Sequence, residues 1–378
     1  MPTLAPGART VKVLVVIGTR PEAIKLAPLI SELRGRPNAT LRVVSTGQHR
    51  ELLDQVLTTF AIVPDDDLDV MRPEQSLADL SGRVLSSMDR LLASDTPDVL
   101  VVQGDTTSAF MCGLGAWYRR VRVAHVEAGL RTGSPADPFP EEMNRRLTAR
   151  VASLHFAPTA RARLALLDEG VPDDTIFVTG NTVVDALLHI RRSEAYQRAA
   201  VPISIHHAQR LLLVTLHRRE SLGAPLEGMC RALRRILEMR PDVRIVFPVH
   251  ANPAVQRIVH EALGGAPRID LIPAVDYLTF IKLMDASWFV LTDSGGVQEE
   301  APVLGRPVLV LRETTERPEA VECGVARAVG TDPDAIVRHT IRLLDDPVEH
   351  AQMARAVSPF GDGHAARRIA DILEAQVR

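Results

Sequence analysis

The chain has 378 residues, which at about 150 residues per domain points to two domains or three. Hydrophobic residues make up 46% and charged residues 24%, a globular balance that excludes a disordered or fibrous chain. The net charge of −3 gives no footing for a nucleic-acid or anionic-membrane partner.

No apolar run approaches the roughly 18 residues of a membrane-spanning helix. Residues 1–10 carry no apolar core for a signal peptide and read as a disordered leader to a cytoplasmic protein. The cysteines, Cys112, Cys230 and Cys323, are scattered, which argues against a disulfide framework or a cysteine zinc site. Nearly all basic side chains are arginine, so the lysines Lys12, Lys25 and Lys282 stand out.

Strand and helix alternate along the chain. Apolar, β-branched runs predict buried parallel strands at Val11–Ile17, Leu41–Thr46, Asp98–Gln103, Val121–Val126, Leu154–Ala157 and Ile176–Thr179. Helical stretches lie between them, among them Glu22–Arg34, Leu77–Ala93 and Glu141–Val151. The pattern restarts with Leu211–Leu216, Arg244–Val249, Ile269–Ile272, Trp288–Thr292, Val308–Leu311 and Ala326–Val329. Twelve such strands exceed one compact open sheet and fit two doubly wound, Rossmann-like α/β domains. Their seam is expected between Gly180 and Gln209, after a helix-like stretch Val183–Ala200. Gly363–Val377 reads as a closing amphipathic helix. Ligands of open α/β sheets bind beyond the strand ends, so two facing sheets imply a cleft.

Polar residues follow each strand. After Val11–Ile17 comes Gly18-Thr19-Arg20-Pro21-Glu22-Ala23-Ile24-Lys25, where a new helix offers free N–H groups to an anion. Arg20 can bind phosphate bidentately and Lys25 adds a charge one turn on. A capped helix with two solvated cations explains the same residues. The run lacks the spacing of a dinucleotide fingerprint or a P-loop. Asp105, in Gln103-Gly104-Asp105-Thr106-Thr107, and Glu127, in His125-Val126-Glu127-Ala128-Gly129, each end a buried strand. Either alone reads best as a cap, and Asp105 is placed to be the N-cap of its helix. Two on neighbouring strands point to acid–base chemistry. After Pro140 the acids Glu141 and Glu142 open a helix, which complementing the helix dipole would explain by itself; in the functional reading Glu141 is a third carboxylate and Arg145 a further anion ligand.

In the second half His217-Arg218-Arg219 follows Leu211–Leu216, suiting proton transfer and phosphate. No metal-ligand spacing is present. Asp293-Ser294-Gly295-Gly296 then turns from strand into helix, where backbone N–H groups can approach a diphosphate. Glu300 stands one turn further, within reach of ribose hydroxyls. No GxSxG elbow appears. These residues describe a nucleotide-sugar binder with carboxylates and a histidine, either a transferase or an isomerase.

At GTRPEAIKLAPLI, TGQHRELLDQVL, QGDTTS, HVEAGLRTG, PFPEEMNRRLT, VTGNTVVDAL, HRRES, PVHANP, LTDSGGVQEEAP and TTERPEAV the chain closely resembles the non-hydrolysing UDP-N-acetylglucosamine 2-epimerases, from about residue 11 to the end. The resemblance implies a glycosyltransferase-B fold. An N-terminal domain would span 11–180 and a UDP-binding domain 181–360, with the helix 361–378 crossing back. It implies C2 epimerisation of UDP-GlcNAc to UDP-ManNAc by elimination of UDP to 2-acetamidoglucal and re-addition, for surface polysaccharide synthesis. No redox cofactor and no metal are implied, and a homodimer is. A glycosyltransferase using a UDP-sugar donor is the rival within this fold.

Carried over by position, the resemblance implies acid–base roles for Asp105, Glu127, Glu141 and His217. It implies UDP contacts from Arg20, His217, Ser294, Gly295, Gly296 and Glu300, with Phe280 beside the uracil and Lys25 and Arg145 near the sugar or diphosphate. Gln48, Arg218 and His250 match a second, activating UDP-GlcNAc site. The chain departs from the family pattern at Leu216, at Ala274-Val275 and at Glu74.

Overall fold

The computed structural model describes residues 10–47, 50–72, 74–203, 209–218, 221–355 and 358–377, without the side chains of 50–52. The expected leader, but for Thr10, and Gln48, Arg219 and Glu220 lie outside the described residues. Two units are formed. The first runs to His189 and takes up the chain again from Phe360; the second is Ile190–Pro359.

The first unit is built on one parallel sheet. Its strands are β1 (Val11–Ile17), β2 (Ala39–Ser45), β3 (Asp66–Asp67), β4 (Val99–Gln103), β5 (Arg122–Val126), β6 (Leu154–Ala157) and β7 (Ile176–Val178). They lie in the order β3-β2-β1-β4-β5-β6-β7. β1 is central, Val15 facing Val43 on one side and Val101 on the other. Strands buried on both faces read as continuous apolar runs, and Val13–Ile17 and Val99–Val102 are sealed. Helices Leu77–Ser94 and Thr107–Tyr118 cover one face, where Met88, Leu92 and Cys112 pack on Leu14, Leu100 and Val102.

The second unit repeats the plan with β8 (Arg210–Thr215), β9 (Val243–Val249), β10 (Ile269–Pro273), β11 (Phe289–Thr292), β12 (Val308–Val310) and β13 (Ala326–Ala328), ordered β10-β9-β8-β11-β12-β13 and again parallel. Phe247, Phe289 and Leu291 lie in its core with helix Ala224–Met239.

Two elements differ from expectation. β3 has only two acidic residues, so no apolar run announces it. The stretch Val183–Ala200 is two helices, Thr182–Arg192 and Glu194–Arg198. Ser193 breaks it, accepting the Tyr196 N–H at 3.1 Å as the cap of the second.

The last helix, Ala365–Gln376, packs on helix Arg20–Arg34. There Arg36 pairs with Glu32, Asp371 and Glu374. Its first N–H groups have an internal acceptor, since Asp185 receives the Ala365 and Ala366 amides at 3.2 and 2.9 Å. Asp185→Ala leaves both unpaired and should cost about 0.5–2 kcal/mol, the range of a lost helix cap. Urea denaturation measures the loss, and limited proteolysis should find the terminal helix cut sooner; wild-type values in both would contradict this docking.

Candidate active site

In each sheet the order of strands reverses between two neighbours, β1 and β4 in the first and β8 and β11 in the second. Loops leaving such neighbours diverge, and a crevice opens at their carboxyl ends. Of the polar residues expected from the sequence to act, Arg20, Lys25, Asp105, His217 and Ser294 follow these strands, while Glu127, Glu141 and Arg145 follow the neighbouring β5 and His250 follows β9.

In the first unit Arg20 and Pro21 open the helix after β1. The loop amides before them are not free. Gly18 and Thr19 both donate to the Glu22 carboxylate, at 2.6 and 2.9 Å, and its other oxygen accepts the Thr106 hydroxyl at 2.6 Å. Glu22 thus ties the turn after β1 to the turn after β4. Burial pushes its pKa up to about 7 against these hydrogen bonds, and nearby Asp105 adds to the rise.

Gly104 turns the chain at φ +72°, a conformation that favours glycine, and delivers Asp105. Asp105 is not the N-cap of helix Thr107–Tyr118. Thr106 is, accepting the Ala109 N–H at 3.0 Å, which leaves the Asp105 carboxylate to Arg145 at 2.9 Å. Burial raises the Asp105 pKa; Arg145 and Lys25 oppose the rise, while Glu127 and Glu141 add to it. Behind this turn His125 is fully buried and donates from Nε2 to the Gly104 carbonyl at 2.7 Å. Burial brings its pKa down to about 3, so the ring is neutral.

Glu127 follows β5 with a left-handed φ of +64°, a conformation that costs a non-glycine residue about 1–3 kcal/mol. Its buried carboxylate accepts from the Lys25 ammonium at 2.5 Å, the Asn181 amide at 2.9 Å and the Gln103 amide. Helix Glu141–Val151 supplies the next acid. Glu141 is half-buried and acts on Asp105 through its field. Glu142, which sequence reasoning passed over, is sealed and pairs with Arg145 and Arg146, each at 2.9 Å. Its spacing to those arginines was the available signal.

In the second unit Asp293, another residue missed, organises the turn. Fully buried, it accepts the His217 and Arg218 amides, each at 2.9 Å, and stands 3.3 Å from His217 Nδ1. The exposed His217 ring stacks on His250 with centroids 5.6 Å apart. Ser294 is the N-cap of helix Gly295–Glu300, and Arg218 lies beside Gly295. Arg218 also pairs with Glu316 at 3.5 Å. Burial would raise the Glu316 pKa, but Arg312, Arg218 and Arg317 hold it down at about 2. Glu300 accepts the Tyr277 hydroxyl at 2.7 Å, and Phe280 sits half-buried on the same helix as Tyr277. The first unit therefore gathers Arg20, Lys25, Asp105, Glu127, Glu141 and Arg145, and the second gathers His217, Arg218, His250, Ser294, Gly295 and Gly296. Among the described residues, no cluster of three or more His, Cys, Asp or Glu side chains is placed to hold a metal ion, and no helix is long and apolar enough to cross a membrane.

The sign of the Glu22 effect on stability follows from its titration. The carboxyl has an ordinary value of 4.5 and about 7 in the fold, so its stabilisation is full at low pH and is lost as pH rises through this window. Glu22→Gln removes that titration. In urea denaturation at several pH values the variant should gain on the wild type by on the order of 3 kcal/mol from about pH 4.5 to 8. A difference independent of pH would contradict the shift.

The chain matches the family model described as UDP-N-acetylglucosamine 2-epimerase over residues 31–374. It is 50% identical over 370 residues to the UDP-N-acetylglucosamine 2-epimerase of Salmonella typhimurium, covering 96% of this chain and 98% of that one. It is 48% identical over 365 residues to the enzyme of that name from Bacillus subtilis, covering 97% and 95%. Among solved structures, the UDP-GlcNAc 2-epimerase from Neisseria meningitidis bound to UDP-GlcNAc superimposes with a TM-score of 0.90 at 40% identity, covering 97% of this chain and all of that one. The fold is the glycosyltransferase-B class of α/β structure. With its motifs at the two strand reversals and this likeness along nearly its whole length, the chain belongs to the UDP-N-acetylglucosamine 2-epimerase family and is an isomerase of that type.

Proposed function

We propose that the protein interconverts UDP-GlcNAc and UDP-ManNAc by anti elimination and re-addition of UDP. The C2 hydrogen of a pyranose is not acidic, so direct inversion there is difficult. If a base removes that proton while the C1–O bond to UDP breaks, 2-acetamidoglucal forms. UDP then adds back at C1 as a proton is delivered to the other face of C2. The balance requires a base, a proton donor and groups that stabilise the departing diphosphate.

The observation that carries this reading is the grouping of Asp105, Glu127 and Glu141 with Lys25 and Arg145 beyond the carboxyl ends of the adjacent strands β1, β4 and β5. The carboxylates would exchange protons with the sugar, and Arg20, Lys25 and Arg145 would hold the sugar or diphosphate. In the second unit His217, Ser294, Gly295, Gly296 and Glu300 would bind UDP, with Phe280 beside the base. A Cβ on Gly296 would meet no atom within 4 Å, so packing does not require glycine there, whereas close approach of a phosphate to the backbone would. Arg218 and His250 would belong to an activating site, supported by their place beside Gly295 and His217. The product would serve surface polysaccharide synthesis in the cytoplasm. A homodimer is supported by Trp117, Tyr118, Met143 and Leu147, exposed on adjacent helices.

Incubation with UDP-GlcNAc and no acceptor should yield UDP-ManNAc. Asp105→Asn, Glu127→Gln and His217→Asn should each lower kcat by about 100-fold or more, a usual acid–base contribution, and His217→Asn should also weaken UDP binding. Near-wild-type turnover in folded Asp105→Asn removes that residue from the chemistry. UDP release only on addition of an acceptor would assign a transferase instead.

A further inference from the structure

Asn181 has no part in the chemistry above, yet it is buried and reaches Glu127. It follows β7, and both ends of its side-chain amide are engaged. The amide nitrogen donates to Glu127 Oε1 at 2.9 Å, and the carbonyl accepts the Val183 N–H at 3.1 Å, shaping the start of helix Thr182–Arg192. Its backbone N–H donates to the Phe360 carbonyl at 2.6 Å, where the chain re-enters the first unit. Gly180 and Gly361 meet at this crossing with φ of +87° and +132°. A Cβ on either would stand 3.3 or 3.2 Å from the other's Cα, which keeps the two backbones in contact. Asn181 is thus located by the main chain on both sides. Glu127, on a left-handed backbone, depends on its donors for the direction of its carboxylate.

We propose that Asn181 is a positioning residue that aims the Glu127 carboxylate and takes its own place from the returning chain at Phe360. The proposal rests on the reading of Glu127 as an acid–base group. Lys25, from the helix after β1, and Gln103, at the end of β4, hold the carboxylate from other sides. Among the described residues, Asp105 and His125 also feel its charge. With the Asn181 amide gone, the Glu127 carboxylate loses its donor from the β7 side while Lys25 and Gln103 still draw on it, and it turns away from the direction in which it must pass a proton. A misplacement of about 1 Å in a reacting group can cost on the order of a hundredfold in rate.

Two substitutions separate this role from folding. Asn181→Ser keeps a short hydroxyl to accept the Val183 N–H but cannot reach Glu127. Asn181→Asp keeps the acceptor and sets a second carboxylate against Glu127, Lys25, Asp105 and His125. In a UDP-GlcNAc epimerisation assay, with melting temperature and pH profile recorded, Asn181→Ser should fold as the wild type, with kcat down by about tenfold or more and KM changed less than about threefold. Asn181→Asp should lose more at about pH 8 and regain activity towards about pH 5.5, where the added carboxyl takes a proton and can donate again. Glu127→Gln is assayed beside them. Wild-type kcat in Asn181→Ser with an impaired Glu127→Gln overturns the role of Asn181. Wild-type kcat in Glu127→Gln overturns instead the role of Glu127 on which it rests. A kcat loss that only follows the folded fraction, with no acid recovery in Asn181→Asp, reduces Asn181 to a structural residue and also overturns the proposal.

Discussion

One buried carboxylate draws together the working edge of the first sheet. Glu127 accepts from Lys25 on the helix after β1, from Gln103 at the end of β4 and from Asn181 after β7. Three segments far apart in sequence therefore converge on one side chain that has little access to water. A buried charge is tolerated only when it is paired and hydrogen-bonded, so each donor lost leaves the Glu127 charge less compensated. The left-handed backbone at Glu127 adds strain that only such a surround can sustain. The remaining groups are arranged around this centre. Glu22 joins the turns after β1 and β4, and Arg145, braced by Glu142, reaches Asp105.

The second unit solves a matching problem with Asp293. A carboxylate at the end of β11 holds the amides that follow β8, so the His217 turn and the Ser294 turn are fixed to one another. Around it Arg218, Arg312 and Arg317 are balanced by Glu316 and Glu299. In both units, then, a buried acid at the strand reversal, Glu22 in the first and Asp293 in the second, ties one turn to its neighbour.

The sheets were legible in the sequence because parallel strands are buried on both faces and announce themselves as β-branched runs; Val11–Ile17 and Leu154–Ala157 agree to the residue. What escaped had no apolar signature. β3 is a pair of aspartates recognised only by its pairing with Val44 and Ser45. The site was legible as far as residue type at strand ends could carry it. Which acid faces which base depends on helix phase and loop course. For that reason a helix cap stood beside the acid–base reading of Asp105, although Thr106 does the capping, and Glu142 was overlooked beside Glu141. The excess of arginine made three lysines conspicuous, and they divide sharply. Lys25 is buried against Glu127, Lys282 lies 4.3 Å above the Tyr196 ring, and Lys12 is an exposed partner of Asp95.

The central claim is that side-chain acids invert C2 through elimination, and the fate of one hydrogen decides it. UDP-GlcNAc incubated with the protein in D₂O, followed by proton NMR of both nucleotide sugars, should show deuterium entering C2 of each epimer, because the abstracted proton resides on a group that exchanges with solvent. UDP-ManNAc formed with its C2 hydrogen retained would contradict elimination and return the acids of the first unit to a binding role.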